Sequence, residues 1–241
     1  MIQNLTGIVI KQKTWGENDL LLSVLSEEGE RRDLIVKGAG QGKSKRKNHL
    51  ELMNKIRGTV YVNSNHSYLQ SVQCEDSYFH LKQNFEKVFQ TQVLLEVIEQ
   101  SLMQEDPHPE AYEVLKSTLE HLNASDACSL GAEIGLIKWA QHLGILPSFR
   151  ICGACHQVIQ KTARWNSEKQ ILLCEDCGGI QGETLELNYR KALEFFKTAS
   201  FQECKNIVFK AEESSKLREL IPYFFRNHLE RPLKTLSISY L

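Results

Sequence analysis

Cys152-Gly153-Ala154-Cys155 and, eighteen residues further on, Cys174-Glu175-Asp176-Cys177 are the stretch around which the rest of the chain is read. Two CxxC pairs at this separation have the spacing of a four-cysteine zinc site. Each pair lets a tight turn present two sulfurs to one metal. The residues between are enough for a hairpin that returns the second turn to the first. Gly153 sits inside the first turn and Gly178-Gly179 follow the second, where the positive φ angles open to glycine are useful. Cys152, Cys155, Cys174 and Cys177 are therefore the expected ligands of one structural zinc ion per chain. His156 could stand in for a cysteine, but the spacing already supplies four sulfurs. Four thiolates close the coordination shell, whereas a catalytic zinc keeps a position open for water. A redox switch would more often use a single CxxC in a thioredoxin-like context. No catalytic residue is expected at this centre, and the chain does not read as an enzyme.

The 241 residues leave room for two or three domains. An apolar content of 41% and a charged content of 24% are those of an ordinary globular protein. No apolar run approaches the ~18 residues of a membrane span. Met1-Ile2-Gln3-Asn4 lacks the charged-then-apolar layout of a signal peptide. A cytoplasmic location without a membrane partner is expected. Seven cysteines cannot all pair internally, and in a reducing compartment the clustered four read as metal ligands. Cys74, Cys128 and Cys204 stand singly among apolar residues and read as buried small hydrophobes. The net charge of −1 conceals +4 over residues 1–60, −7 over 75–150 and +2 over 151–241. A basic part joined to an acidic middle suggests modules with different partners.

Residues 5–74 alternate short β-prone runs with turns. The runs are Ile8–Ile10, Leu20–Leu25, Leu34–Val36, Ile56–Val62 and Tyr68–Val72, with hairpin turns at Glu27-Glu28-Gly29 and Asn63–His66. Five strands with the longest interruption between the third and fourth fit a small OB-like barrel, with an SH3-like barrel as the structural alternative. The interruption contains Lys37 to Lys47, KGAGQGKSKRK. Its three glycines predict a pliant segment, and Lys37, Lys43, Lys45, Arg46 and Lys47 make it cationic, with Arg31 and Arg32 on the strand leading in. It reads either as a solvated surface loop or as a phosphate-binding loop on a barrel rim, and the barrel context favours nucleic acid. Each contact of such a cation with phosphate releases a counterion and makes binding salt-sensitive; flexible lysines suit backbone contact without base reading. There is no GxxxxGK[ST] phosphate loop. Trp15 could stack a base but is expected to pack in the core at the barrel end, and Glu17 and Asp19 to serve a turn.

From Asp76 the pattern becomes helical. Phe85 to Leu102, Tyr112 to Asn123, a helix capped by Asp126 or Ser129 and stopped by Gly144 and Pro147, Tyr189 to Phe196, and Leu217 to Leu229 carry apolar residues at three- and four-residue spacing. His121 and His142 lie on these helices without HExxH spacing. Arg226 to Lys234 form a second, modest basic cluster. The expected organisation is α+β and multidomain. An OB-like DNA-binding barrel takes residues 1–75, the first part of an all-α helical domain 76–150 and a four-cysteine zinc module 151–182. C-terminal helices completing the helical domain take 183–241.

This order of parts resembles the RecO family of bacterial recombination mediators. The matching segments are Trp15-Gly16-Glu17-Asn18-Asp19, Lys37-Gly38-Ala39 with Lys43-Ser44, Leu143-Gly144-Ile145-Leu146-Pro147 leading into Cys152, and His228-Leu229 with Pro232-Leu233-Lys234-Thr235. The resemblance implies a non-enzymatic role in DNA repair: binding single- and double-stranded DNA, annealing complementary strands, and joining RecR to load RecA onto DNA coated with single-stranded-DNA-binding protein. It also implies a grip on that protein's C-terminal tail, on the helical domain. By position it makes Arg31, Arg32, Lys37, Lys43, Lys45, Arg46 and Lys47 the DNA-binding candidates. Some family members lack the cysteines, which fits a structural metal. The alternative is a zinc-containing OB-type factor of transcription or the ribosome, since fold alone does not fix function.

Overall fold

Alternating apolar residues make the N-terminal part of the chain into strands that share one interior. In the computed structural model β1 (Ile2–Trp15), β2 (Asp19–Ser26), β3 (Arg31–Val36), β4 (Lys55–Val62) and β5 (Ser67–Asp76) close into a barrel in the order β1-β2-β3-β5-β4. Residues 1–40, 44, 46–104, 106–125, 130–179, 182–204, 207, 209 and 211–235 are described, residue 211 by its backbone only. Every neighbouring strand pair is antiparallel except β3 and β5, joined in parallel at Ile35 and Tyr68. This closure makes the OB-like barrel. Leu5, Val9, Leu22, Val24, Leu34, Val36, Leu50, Ile56, Val60 and Leu69 fill it.

β1 is far longer than its apolar core Ile8–Ile10 suggests. Its first half pairs with β4 and its second with β2, with a register shift between Val9 and Lys11. Such a bulge bends a strand and lets it serve two neighbours. The polar flanks of β1 are held by ladder hydrogen bonds, which leave no apolar signature. The turn after β2 contains Gly29 at φ +83, where a Cβ would stand 2.1 Å from the His108 carbonyl carbon. Only glycine suits both the left-handed backbone and that close approach.

Helices α1 (Phe79–Lys82), α2 (Phe85–Ser101) and α3 (Pro109–Ala124) follow. Asn84 caps α2 by accepting a 3.0 Å hydrogen bond from the Lys87 amide. Pro109 opens α3, a position where its missing N–H costs nothing. Val93, Leu94, Val97 and Ile98 are buried on α2, but Phe85 is 84% exposed. Next comes α4 (Gly131–His142), followed by Gly144 at φ +70. Its expected caps, Asp126 and Ser129, lie outside the described residues.

The cysteine segment folds as β6 (Ala163–Asn166), β7 (Ile171–Leu173), the single-turn α5 (Glu175–Gly178) and β8 (Glu183–Leu185). The sheet order is β7-β6-β8. Helices α6 (Leu187–Phe196), α7 (Phe201–Cys204) and α8 (Ala211–Phe225) follow. Phe224 of α8 packs on Trp165 of β6 and on Phe149, with ring centroids 5.4 and 5.9 Å away. α8 carries Pro222 and stops at Phe225, short of the expected Leu229. By contacts the chain groups into two units, Met1–Ala132 with Arg231–Leu241, and Glu133–Glu230, so the border falls within α4. Among the described residues no helix is long and apolar enough to cross a membrane.

Candidate nucleic-acid interface and metal centre

One end of the barrel gathers the start of β2, the end of β3 and the turn between β4 and β5. Asp19 opens β2 and accepts hydrogen bonds from Lys37 Nζ at 2.7 Å and from the Gly38 amide at 2.9 Å. The Lys37 ammonium, and after it the Gly38 amide, hold the Asp19 carboxyl below its usual value. The same bond raises the Lys37 pKa. Arg46 donates to the Lys37 carbonyl at 3.0 Å, and Gly40 N–H to the Asn18 carbonyl at 2.8 Å. The two ends of the cationic segment are thus tied to each other and to the β1–β2 turn. Lys47 is exposed at the start of a short 3-10 helix, Lys47–His49. Lys43 and Lys45 lie outside the described residues.

Arg31 and Arg32 have other duties. The Arg31 guanidinium donates to the carbonyls of Glu99 and Leu102, at 2.7 and 3.2 Å, where α2 ends. It also lies 3.3 Å from Asp33 and 3.6 Å from the Glu99 carboxylate. A cation at a helix C-terminus satisfies orphan carbonyls and complements the dipole. Arg32 donates to the Gln3 side chain at 2.5 Å. Trp15, expected in the barrel end, is 43% exposed on the β1–β2 hairpin, because β1 runs on past the barrel interior. Of the single cysteines, Cys204 is buried as expected; Cys74 is half-buried on β5, and Cys128 lies outside the described residues.

The metal-binding geometry is assembled by the β6–β7 hairpin. Arg164, Trp165 and Asn166 pair with Leu173, Leu172 and Ile171. The first cysteine turn joins β7 through a 2.7 Å bond from the Gly153 amide to the Leu172 carbonyl. A Cβ on Gly153 would stand 2.7 Å from that of Ile171, so the close approach needs glycine. The four sulfurs lie within 4.8 Å of one another, and those of Cys155 and Cys174 are 3.9 Å apart. Tetrahedral thiolate coordination at Zn–S about 2.3 Å separates sulfurs by about 3.8 Å, so the donor set fits. These four cysteines can hold a metal ion. Burial pushes the Cys152 thiol up, but the amides of Cys155, Cys174 and Ala154 aimed at its sulfur outweigh this and bring it to about 6. Cys177, hydrogen-bonded by the Cys174 and Cys155 sulfurs, is pushed up to about 12.

Sequence reasoning missed Arg190, a buried residue of α6. It donates to the carbonyls of Phe149 at 2.8 Å and Ile159 at 3.2 Å, and also to that of Lys161. One side chain thereby holds both flanks of the first cysteine turn. It also missed Tyr61 and Tyr68 as surface residues, although β4 alternates Val60, Tyr61, Val62 in the manner of a strand with one face outward. The C-terminal basic cluster is partly engaged: Arg231 lies 3.7 Å from Glu99, and the Lys234 and Thr235 amides donate to the Glu96 carboxylate at 2.8 and 2.9 Å.

Residues 1–78 match the family model described as Recombination protein O N terminal, and residues 82–237 match Recombination protein O C terminal. Three similar proteins carry the name DNA repair protein RecO. That of Oceanobacillus iheyensis is 22% identical over 227 residues, covering 93% of this chain and 88% of its own. That of a Roseiflexus species is 23% identical, covering 96% and 82%. That of Syntrophobacter fumaroxidans is 23% identical, covering 96% and 94%.

Proposed function

The chain belongs to the RecO family of DNA repair proteins, and on that premise we propose that it is a recombination mediator acting by binding rather than by catalysis. It binds single- and double-stranded DNA, anneals complementary strands, and helps load RecA onto DNA coated with single-stranded-DNA-binding protein. RecR and the C-terminal tail of the coating protein are its partners, and the cytoplasm, with the nucleoid, is its place. The carrying observation is the barrel end where Lys37 and Arg46 bracket a segment whose sequence holds Lys43 and Lys45, with Lys47 directly after it. Such a cationic rim releases counterions on meeting phosphates. Lys37, Lys43, Lys45, Arg46 and Lys47 are the proposed DNA contacts. Arg31 and Arg32, engaged as they are, support the strand that leads to them.

Zinc is the proposed metal, held by Cys152, Cys155, Cys174 and Cys177. Bound there it would supply a closed, structural cross-link. The chain's own contribution is to aim backbone amides at the Cys152 sulfur and to hold the flanks of the first cysteine turn through Arg190. The testing experiment is annealing of complementary strands coated with single-stranded-DNA-binding protein, comparing the full chain with a variant in which Lys43, Lys45, Arg46 and Lys47 are alanine. The full chain is expected to accelerate annealing and the variant to lose most of that effect. A full chain that neither anneals coated strands nor retains RecR or the tail peptide, yet binds RNA, would favour a transcription- or ribosome-associated role.

A further inference from the structure

A lysine-rich segment meets phosphates, and phosphates alone say little about whether a strand is paired. Beside that segment the barrel carries a feature of different chemistry. Tyr61 on β4 stands directly opposite Tyr68 on β5 and, on its other side, opposite Ile2 on β1. Directly opposed residues of antiparallel strands project to the same face. The next pair along, Val60 and Leu69, points into the barrel at 0% and 3% exposure, so the tyrosines stand outside. Tyr61 is 40% exposed and Ile2 is 64% exposed.

This ledge adjoins the cationic segment. Lys37 Nζ lies 5.9 Å from the Tyr68 ring centroid, and His66 packs edge-on against the same ring at 6.1 Å. The turn carrying His66 is fixed by the Asn63 side chain, which accepts from the Asn65 and His66 amides at 2.9 and 2.7 Å. Lys37 is itself fixed by Asp19. The exposed Tyr61, the half-buried Tyr68 with the His66 ring against it, and the anchored Lys37 ammonium therefore stand together at this end of β4 and β5. Proteins that hold single strands combine these parts: rings for the bases and cations for the backbone.

We propose that the outer face of β4 and β5 at Tyr61 and Tyr68 is a stacking site for unpaired nucleobases, with Lys37 and Arg46 taking the flanking phosphates. The ligand class is single-stranded nucleic acid. The site favours it over duplex because paired bases are already stacked and offer no free face. This inference rests on the DNA-binding reading above and adds to it a base-dependent component.

The test measures affinity of the full chain by fluorescence anisotropy for two labelled strands of about sixteen nucleotides. One is oligothymidylate and the other is its abasic equivalent, with the same number of phosphates. The expected result is tighter binding of the base-bearing strand, on the order of ten-fold. Tyr61→Leu combined with Tyr68→Leu should remove that difference while leaving abasic affinity and its salt dependence unchanged. Tyr61→Phe with Tyr68→Phe should retain it. A role confined to sheet packing would lower the unfolding temperature without touching the base dependence. Equal affinity of the unaltered chain for both strands overturns the stacking site and leaves the DNA-binding reading standing. Failure to bind either strand overturns both.

Discussion

Asp19 and Lys37 show how one pair sets the geometry of the cationic rim. The Asp19 carboxyl is lowered by its bond to Lys37 and by the Gly38 amide. A depressed carboxyl contributes stability that is present above its unfolded value, about 3.9, and lost as pH falls through the lower folded value. The pair therefore persists across the neutral range. NMR titration should place the Asp19 midpoint below about 3.9 and Lys37→Ala should move it upward; an unmoved midpoint would contradict the pairing. Arg31 illustrates the opposite case, a cation engaged inside the fold. Arg31→Ala uncaps the end of α2 and removes one counter-charge from Glu99, which is 5% exposed. The expected cost is about 1–3 kcal/mol in urea unfolding, with DNA affinity retained by the folded variant. Loss of affinity at unchanged stability would return Arg31 to the interface. His156 sits at φ +59 directly after Cys155, a conformation that costs a non-glycine residue about 1–2 kcal/mol. His156→Gly should raise stability by about 0.5–1 kcal/mol once the extra freedom of glycine in the unfolded chain is offset. A lowered unfolding temperature would show that the imidazole has a task there.

The cysteine module is the element whose stability depends on something other than an apolar core. Its strands are three or four residues long, too short for an isolated sheet to persist. The Arg190 hydrogen bonds and the packing of Trp165 on Phe224 hold it, and the four cysteines can add a metal cross-link. Removing metal with a chelator, or Cys152→Ser, should lower the calorimetric unfolding temperature of this unit, because ligand free energy is folding free energy. DNA binding should change only as a consequence. A stable metal-free protein that specifically lost DNA binding would contradict this. Arg190→Leu should cost about 3 kcal/mol by leaving buried carbonyls unpaired. The elements differ in how far the sequence discloses them. The Cys spacing disclosed the hairpin, since ligand geometry demands a return. The barrel strands were legible where one side faces the core, as at Leu20–Leu25. The flanks of β1 were not, because hydrogen-bond ladders leave no trace in residue type. Nor was β8, a three-residue strand paired to β6, or the burial of Arg190, which depends on carbonyls 29 to 41 residues away.

For the whole molecule, charge distribution said more than net charge. The −1 total conceals a basic N-terminal part, and the barrel places several of its cations at one end. The family was legible from the order of its segments. Which cations remain available was not, because Arg31 is recruited by Glu99 and Leu102, 68 and 71 residues downstream. The Lys37–Lys47 rim is proposed to bind DNA through its phosphates. The most direct measurement is single-stranded DNA affinity at several salt concentrations, for the full chain and for the Lys43, Lys45, Arg46 and Lys47 to alanine variant. Weaker binding is expected, with a slope of log affinity against log salt flatter by about 0.7 for each phosphate that the variant no longer neutralises. Unchanged affinity and unchanged slope in a folded variant would contradict it.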